Sequence, residues 1–162
     1  MLQSESRQEQ LEVALMAMKL PEDVQLRCWM EEDFPFIQRL SRLEGWTTPL
    51  RRPEEALVAW RNSWPALVVA QRENVIGFVR GMTDGEVTTY IADLLVEREY
   101  RGKGLGRLLL DACHELYPHT RLDLISTEGA MLFIRLMAFD WWGRACGRAI
   151  GPRPGEMYLD KI

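Results

Sequence analysis

Residues 93–113, DLLVEREYRGKGLGRLLLDAC, change period in mid-course. Upstream, VTTYIADLLV (87–96) is rich in β-branched and aromatic residues, the composition of a strand. Downstream, Leu105, Leu108, Leu109, Ala112, Cys113 and Leu116 fall at i, i+3, i+4, i+7, i+8 and i+11, the stripe of an amphipathic helix. Between them stand Gly102, Gly104 and Gly106, beside Arg101, Lys103 and Arg107. A strand that runs through a glycine turn into a helix commits the chain to an α/β arrangement. RLDLIST (121–127) then alternates as a strand does, so the segment predicts a parallel crossover with a right-handed connection.

The remaining elements fit around this unit. Residues 5–19 predict a helix with Leu11, Ala14, Leu15 and Met18 on one face, ended by Pro21. VQLRCWM (24–30) predicts the first strand. Residues 31–44 predict a helix, with Glu31, Glu32 and Asp33 at its positive end and a stripe of Phe34, Ile37, Leu40 and Leu43. Residues 44–53 form a loop, and 53–63 a short helix with proline in its first turn. Residues 65–71, 75–82 and 87–96 form an antiparallel meander, because the turns between them are too short for any other pairing. A short helix at 130–139 and two terminal strands complete the chain. The expected fold class is α/β (α+β), a mixed sheet with helices on both faces.

Composition narrows the function. The chain has 162 residues and a net charge of −4, which suits one domain and disfavours a general nucleic-acid binder. Cys28, Cys113 and Cys146 are odd in number and never at CxxC spacing, so neither a zinc site nor a disulfide framework is expected. No apolar run approaches the roughly 20 residues of a membrane span, and Glu12 and Lys19 interrupt the apolar part of the N-terminus. The expected compartment is the cytoplasm, and the expected division is a helical extension over 1–20 before a single domain over 21–162.

Glycines at 102, 104 and 106 leave room for a ligand to approach the backbone. The first turn of the following helix carries unsatisfied N–H groups and a partial positive charge. With Arg101, Lys103 and Arg107 these make a site for a phosphate or pyrophosphate. The spacing excludes the P-loop, which needs GxxxxGK[ST], and the dinucleotide fingerprint, where Arg107 stands in place of the third glycine.

Arg101-Gly102-Lys103-Gly104-Leu105-Gly106 resembles the pyrophosphate-binding motif of the GNAT acetyltransferase superfamily, [Q/R]-x-x-G-x-[G/A]. The order of elements is similar to that family's over residues 24 to about 160. The resemblance implies a GNAT fold whose fourth and fifth strands splay, and acetyl-CoA as cofactor. It implies that amides of Arg101, Gly102, Lys103, Gly104, Leu105 and Gly106 hold the pyrophosphate, with charge added by Arg107. The pantetheine arm would lie along Leu94, Leu95 and Val96, with a backbone N–H there facing the thioester carbonyl. The acceptor would be a primary amine of a small molecule or a protein, with no nucleic acid, membrane or metal involved. A homodimer is compatible with the N-terminal helix, which could instead cap the sheet.

An amine arrives protonated, so a base is needed. Asp93 is the first candidate and Glu97 the second. Acceptor pockets in this fold border the first two helices, which places Trp46, Thr47, Thr48 and Trp60 nearby. Trp46 and Tyr90 are the candidate acceptor-binding residues. The family's A-x-x-F-Y is Ala130-Met131-Leu132-Phe133-Ile134 here. Phe133 is kept on the cofactor side, but Ile134 replaces the tyrosine that protonates the leaving thiolate, leaving Tyr158, Ser126 or Tyr90 as substitutes. That departure keeps a second reading open, a weakly catalytic CoA-binding module of regulatory or assembly use.

Overall fold

Short turns and alternating apolar residues dictate a meander, and the chain forms one. The computed structural model describes residues 2–124. In order these form α1 (Leu2–Leu15), β1 (Gln25–Cys28), α2 (Phe34–Leu43), α3 (Thr48–Arg51), α4 (Pro53–Asn62), β2 (Ala66–Gln71), β3 (Asn74–Thr83), β4 (Thr88–Val96), α5 (Leu105–Leu116) and β5 (Arg121–Leu124). Two 3-10 turns, Glu31–Asp33 and Arg98–Tyr100, lead into α2 and the glycine loop. The sheet order is β1-β2-β3-β4-β5, antiparallel at the first three junctions and parallel at the last. The mixed α/β class expected from the sequence is the observed one.

One irregularity decides what faces what. Arg80 pairs with Asp93 but Gly81 pairs with Ile91, so Ala92 is an extra residue, a β-bulge. Side chains alternate along a strand, and an inserted residue reverses the phase beyond it. Leu95, Asp93 and Tyr90 therefore share a face with Phe78, Arg80 and Met82. Leu94 and Ile91 share the other with Val79 and Gly81.

The first face is covered by α2 and α4. Phe34, Ile37, Leu40, Ala56 and Trp60 pack there on Ala66, Val68, Phe78 and Leu95. On the other face α5 buries Leu105, Leu108, Leu109, Leu110, Ala112 and Cys113. The unbroken apolar run of β2 follows from being covered on both sides. Desolvation there pushes the Cys113 thiol well above its ordinary value. Helix α1 buries Leu11 and Ala14 and packs on α5 and β1.

Several boundaries differ from expectation. The first helix ends at Leu15, not 19, and Met16 is 84% exposed. Leu43, assigned to the core stripe, is 57% exposed because α2 stops there and turns at Gly45, whose φ is +79°. The expected loop 44–53 contains α3, too short to show a period. The predicted helix at 130–139, the terminal strands, and Ser126, Phe133, Ile134 and Tyr158 lie outside the described residues.

Candidate active site

The glycine loop sits between the end of β4 and the start of α5. Gly102 and Gly104 have φ of +76° and +81°, the left-handed region that glycine occupies without cost. Gly104 is the N-cap of α5 and brings no side-chain cap to the helix amides. Among the described residues, the amides of 102–106 donate to no backbone oxygen. A Cβ at Gly102 or Gly104 would meet nothing within 4 Å, so neither position is crowded by the rest of the described chain. Gly106 differs: it lies inside α5 with ordinary helical φ. Leu105 is buried and anchors the first turn. The loop thus fits a pyrophosphate through backbone donors, the chemistry such a group requires.

The basic side chains divide their tasks. Lys103 lies over the Tyr100 ring, 4.8 Å from its centroid. Arg107 meets Asp111 one turn on, Nε to Oδ2 at 3.3 Å. Arg101 turns back: its Nε donates to the Val96 carbonyl (2.9 Å) and its Nη2 to Glu44 Oε2 (2.7 Å). The Arg101 side chain therefore braces the end of β4 against the end of α2, and its backbone N–H, expected to face the pyrophosphate, donates instead to the Arg98 carbonyl (3.2 Å).

The edge of β4 leads away from that loop. Glu97 N–H donates to Ile76 on β3 (2.8 Å), so by alternation the backbone groups of Val96 and Leu94 point to the opposite edge. Among the described residues, β5 pairs with β4 only over 88–91, which leaves 92–96 with β3 alone. Leu94 and Val96 are half-buried, whereas the Leu95 side chain goes into the core.

On the α2 side of the sheet lies a cavity of about 380 Å3. Trp46, Thr47, Thr48 and Trp60, the four residues placed there by sequence, all line it, together with Phe78, Ser41, Arg80 and Asp93. Phe78 holds Trp46 and Trp60 edge-on, at centroid distances of 6.4 and 5.4 Å. Asp93 Oδ2 accepts from Arg80 Nε at 2.5 Å, and Arg80 Nη1 donates to Ser63 Oγ at 3.2 Å. Asp93, the first candidate base, is thus not a lone carboxylate: a guanidinium occupies one oxygen, and among the described residues the other accepts no hydrogen bond. Tyr90 shares this face but not the cavity lining.

Glu97 has another task. Both its oxygens accept from Arg39 (2.6 and 3.1 Å), which also donates to the Val75 carbonyl. Those bonds hold the Arg39 guanidinium above its usual value. Glu97 fastens α2 to the end of β4, and it is absent from the cavity lining. Glu97, the second candidate base, is thus held by a guanidinium at both oxygens and acts as a strut in the fold.

Sequence reasoning missed Arg80, Ser41 and Glu44. A signal existed for Arg80, the one charge inside the apolar run VIGFVRGM. Ser41 beside the α2 stripe carried none, and the partner of Glu44 lies 57 residues away.

A model of the acetyltransferase (GNAT) family matches residues 24–137. The chain belongs to that family. Among similar solved structures is a GNAT family acetyltransferase from Streptococcus pneumoniae TIGR4, 20% identical, covering 82% of this chain and 98% of that one with a TM-score of 0.58. A Trypanosoma brucei acetyltransferase is 25% identical, covering 86% and 100% at a TM-score of 0.54. An aminoglycoside acetyltransferase from an uncultured soil metagenomic sample, solved with sisomicin, is 14% identical, covering 86% and 97% at 0.54. These likenesses establish the GNAT fold. A comparison with curated proteins found no match. No described helix is long and apolar enough to cross a membrane.

Proposed function

We propose that this protein is an N-acetyltransferase that takes the acetyl group of acetyl-CoA and delivers it to a primary amine. One observation carries the reading. A single strand, β4, ends in an open glycine cradle for a pyrophosphate and holds, three residues before its end, a carboxylate at the wall of a small cavity. The backbone of 102–106 would hold the diphosphate, and the edge at Leu94 and Val96, where Arg101 already bonds the Val96 carbonyl, would hold the pantetheine arm as an added strand. Acetyl-CoA supplies an activated acyl group on a thiol, a tolerable leaving group.

The chain's own residues handle the amine. An alkylamine resembles lysine and arrives protonated near neutral pH, so a proton must leave before it attacks. Asp93 accepts that proton through the oxygen not held by Arg80, directly or through one water. Arg80 fixes the carboxylate against the sheet, which sets its direction. Trp46, only partly buried against the core, offers aromatic surface to a cation on its way in.

The test is a calorimetric titration of the whole chain with acetyl-CoA, followed by thiol release with an amine panel. Binding with turnover that Asp93→Asn abolishes, while acetyl-CoA affinity holds, supports the reading. Binding without turnover of any amine would leave a CoA-binding module, the reading that Ile134 in place of the family tyrosine supports. Absence of binding would remove the acetyltransferase reading.

A further inference from the structure

The described lining of the cavity carries one cation and one anion, Arg80 and Asp93, and they touch. Each keeps an unused valence. Among the described residues, Arg80 Nη2 has no hydrogen-bond partner and Asp93 Oδ1 accepts none. Because the two groups are cross-strand partners joined by a 2.5 Å bond, their spare atoms lie within a few ångströms of each other.

A second, independent observation points to a polar occupant. Ser41 is 1% exposed, lines the same cavity, and its Oγ has no hydrogen-bond partner. A buried hydroxyl without a partner is costly. Helical serines commonly bond the carbonyl one turn back, and this one does not. Apart from the hydroxyls of Thr47 and Thr48, the rest of the wall is apolar, with Trp46, Trp60 and Phe78 its largest side chains.

We propose that the acceptor is a compact zwitterion, an α-amino acid with an apolar or aromatic side chain. Its ammonium meets Asp93 and its carboxylate meets Arg80, a match for two opposite charges on one carbon. Its side chain lies against Trp46, Trp60 and Phe78, and Ser41 bonds one of its polar atoms. A plain monoamine would satisfy Asp93 but bring a second cation beside Arg80, which works against it. A polyamine would need further carboxylates that the described lining does not offer. The volume lies near the lower end of the roughly 300–1,000 Å3 of small-molecule sites, in keeping with one amino acid.

The inference rests on the acetyltransferase reading only in calling the occupant an acceptor, so its test omits acetyl-CoA. The whole chain is titrated calorimetrically with L-phenylalanine, L-phenylalaninamide and phenethylamine, then with L-leucine and isopentylamine. The amides and amines keep the body and lose the carboxylate. Each amino acid should bind at least about tenfold more tightly than its uncharged-tail twin, a margin worth about 1.4 kcal/mol. Arg80→Gln should erase the preference, and Arg80→Lys should restore part of it. Equal or tighter binding of phenethylamine, or of the amide that imitates a protein N-terminus, would overturn the proposal. So would failure of both amino acids to bind. Loss of acetyl transfer would leave these titrations standing, and loss of the preference would leave turnover of other amines standing.

Discussion

Gly104→Ala separates the loop's structural role from its binding role. The residue has φ of +81°, and a Cβ there meets nothing within 4 Å. Overpacking therefore contributes nothing, and the cost is that of an L-residue in the left-handed region, about 1–2 kcal/mol. For a chain of this length that corresponds to a melting point lower by roughly 2–8 °C. Gly104→Asn should lose less, since asparagine tolerates this conformation. Gly77→Ala is the contrasting case: its Cβ would sit 3.1 Å from the Leu95 carbonyl oxygen, a backbone atom of the neighbouring strand. That is an overpacking cost of about 1–3 kcal/mol with φ unstrained. The decisive comparison is acetyl-CoA affinity by calorimetry beside thermal unfolding by circular dichroism. Gly104→Ala should weaken acetyl-CoA at least about tenfold, because a side chain at the N-cap of α5 hinders the close approach of a phosphate to the backbone. A variant that keeps full affinity, or that fails to fold, would refute the account of the loop.

Two further outcomes follow from the ion pairs and turns. Glu97→Gln removes the charge from the bond that ties α2 to β4, at a cost of about 1 kcal/mol given the half-exposed Arg39; chemical denaturation measures it, and the turnover number should not change. A fall in turnover with unchanged stability would restore Glu97 as a base. Asp84 accepts hydrogen bonds from the amides of Glu86, Val87 and Thr88, which lower its carboxyl to about 2. Its folded value is depressed, so the stability it lends is full above the ordinary value of 3.8 and is lost as pH falls toward about 2. Asp84→Asn keeps an acceptor without the charge, so melting curves of the two proteins should converge across that window. Parallel curves would contradict the assignment.

What was legible in the sequence is what depends on local geometry. Gly102 and Gly104 were readable because positive φ selects glycine, and the α5 stripe because Leu105 to Cys113 repeats at helical spacing. The meander followed from its turns. What depended on distant partners was hidden. Arg39 and Glu97 are 58 residues apart, and nothing in either neighbourhood announces the other. Leu43 continued a stripe that the helix end cut short. Asp93 was found by its position on β4, but its bond to Arg80 depends on strand register. The bulge at Ala92 was equally invisible, since an extra residue in a strand looks like any other alanine.

That bulge also sets how the protein can change over time. Adding or removing a residue in β4 would swap the faces of everything beyond it, so Asp93 and the pyrophosphate loop must keep their spacing. Trp46 and Thr47 lie in the short link between α2 and α3, where changes in length cost little. The lineage of such a chain is therefore free to vary that link while the spacing between Asp93 and the glycine loop stays locked.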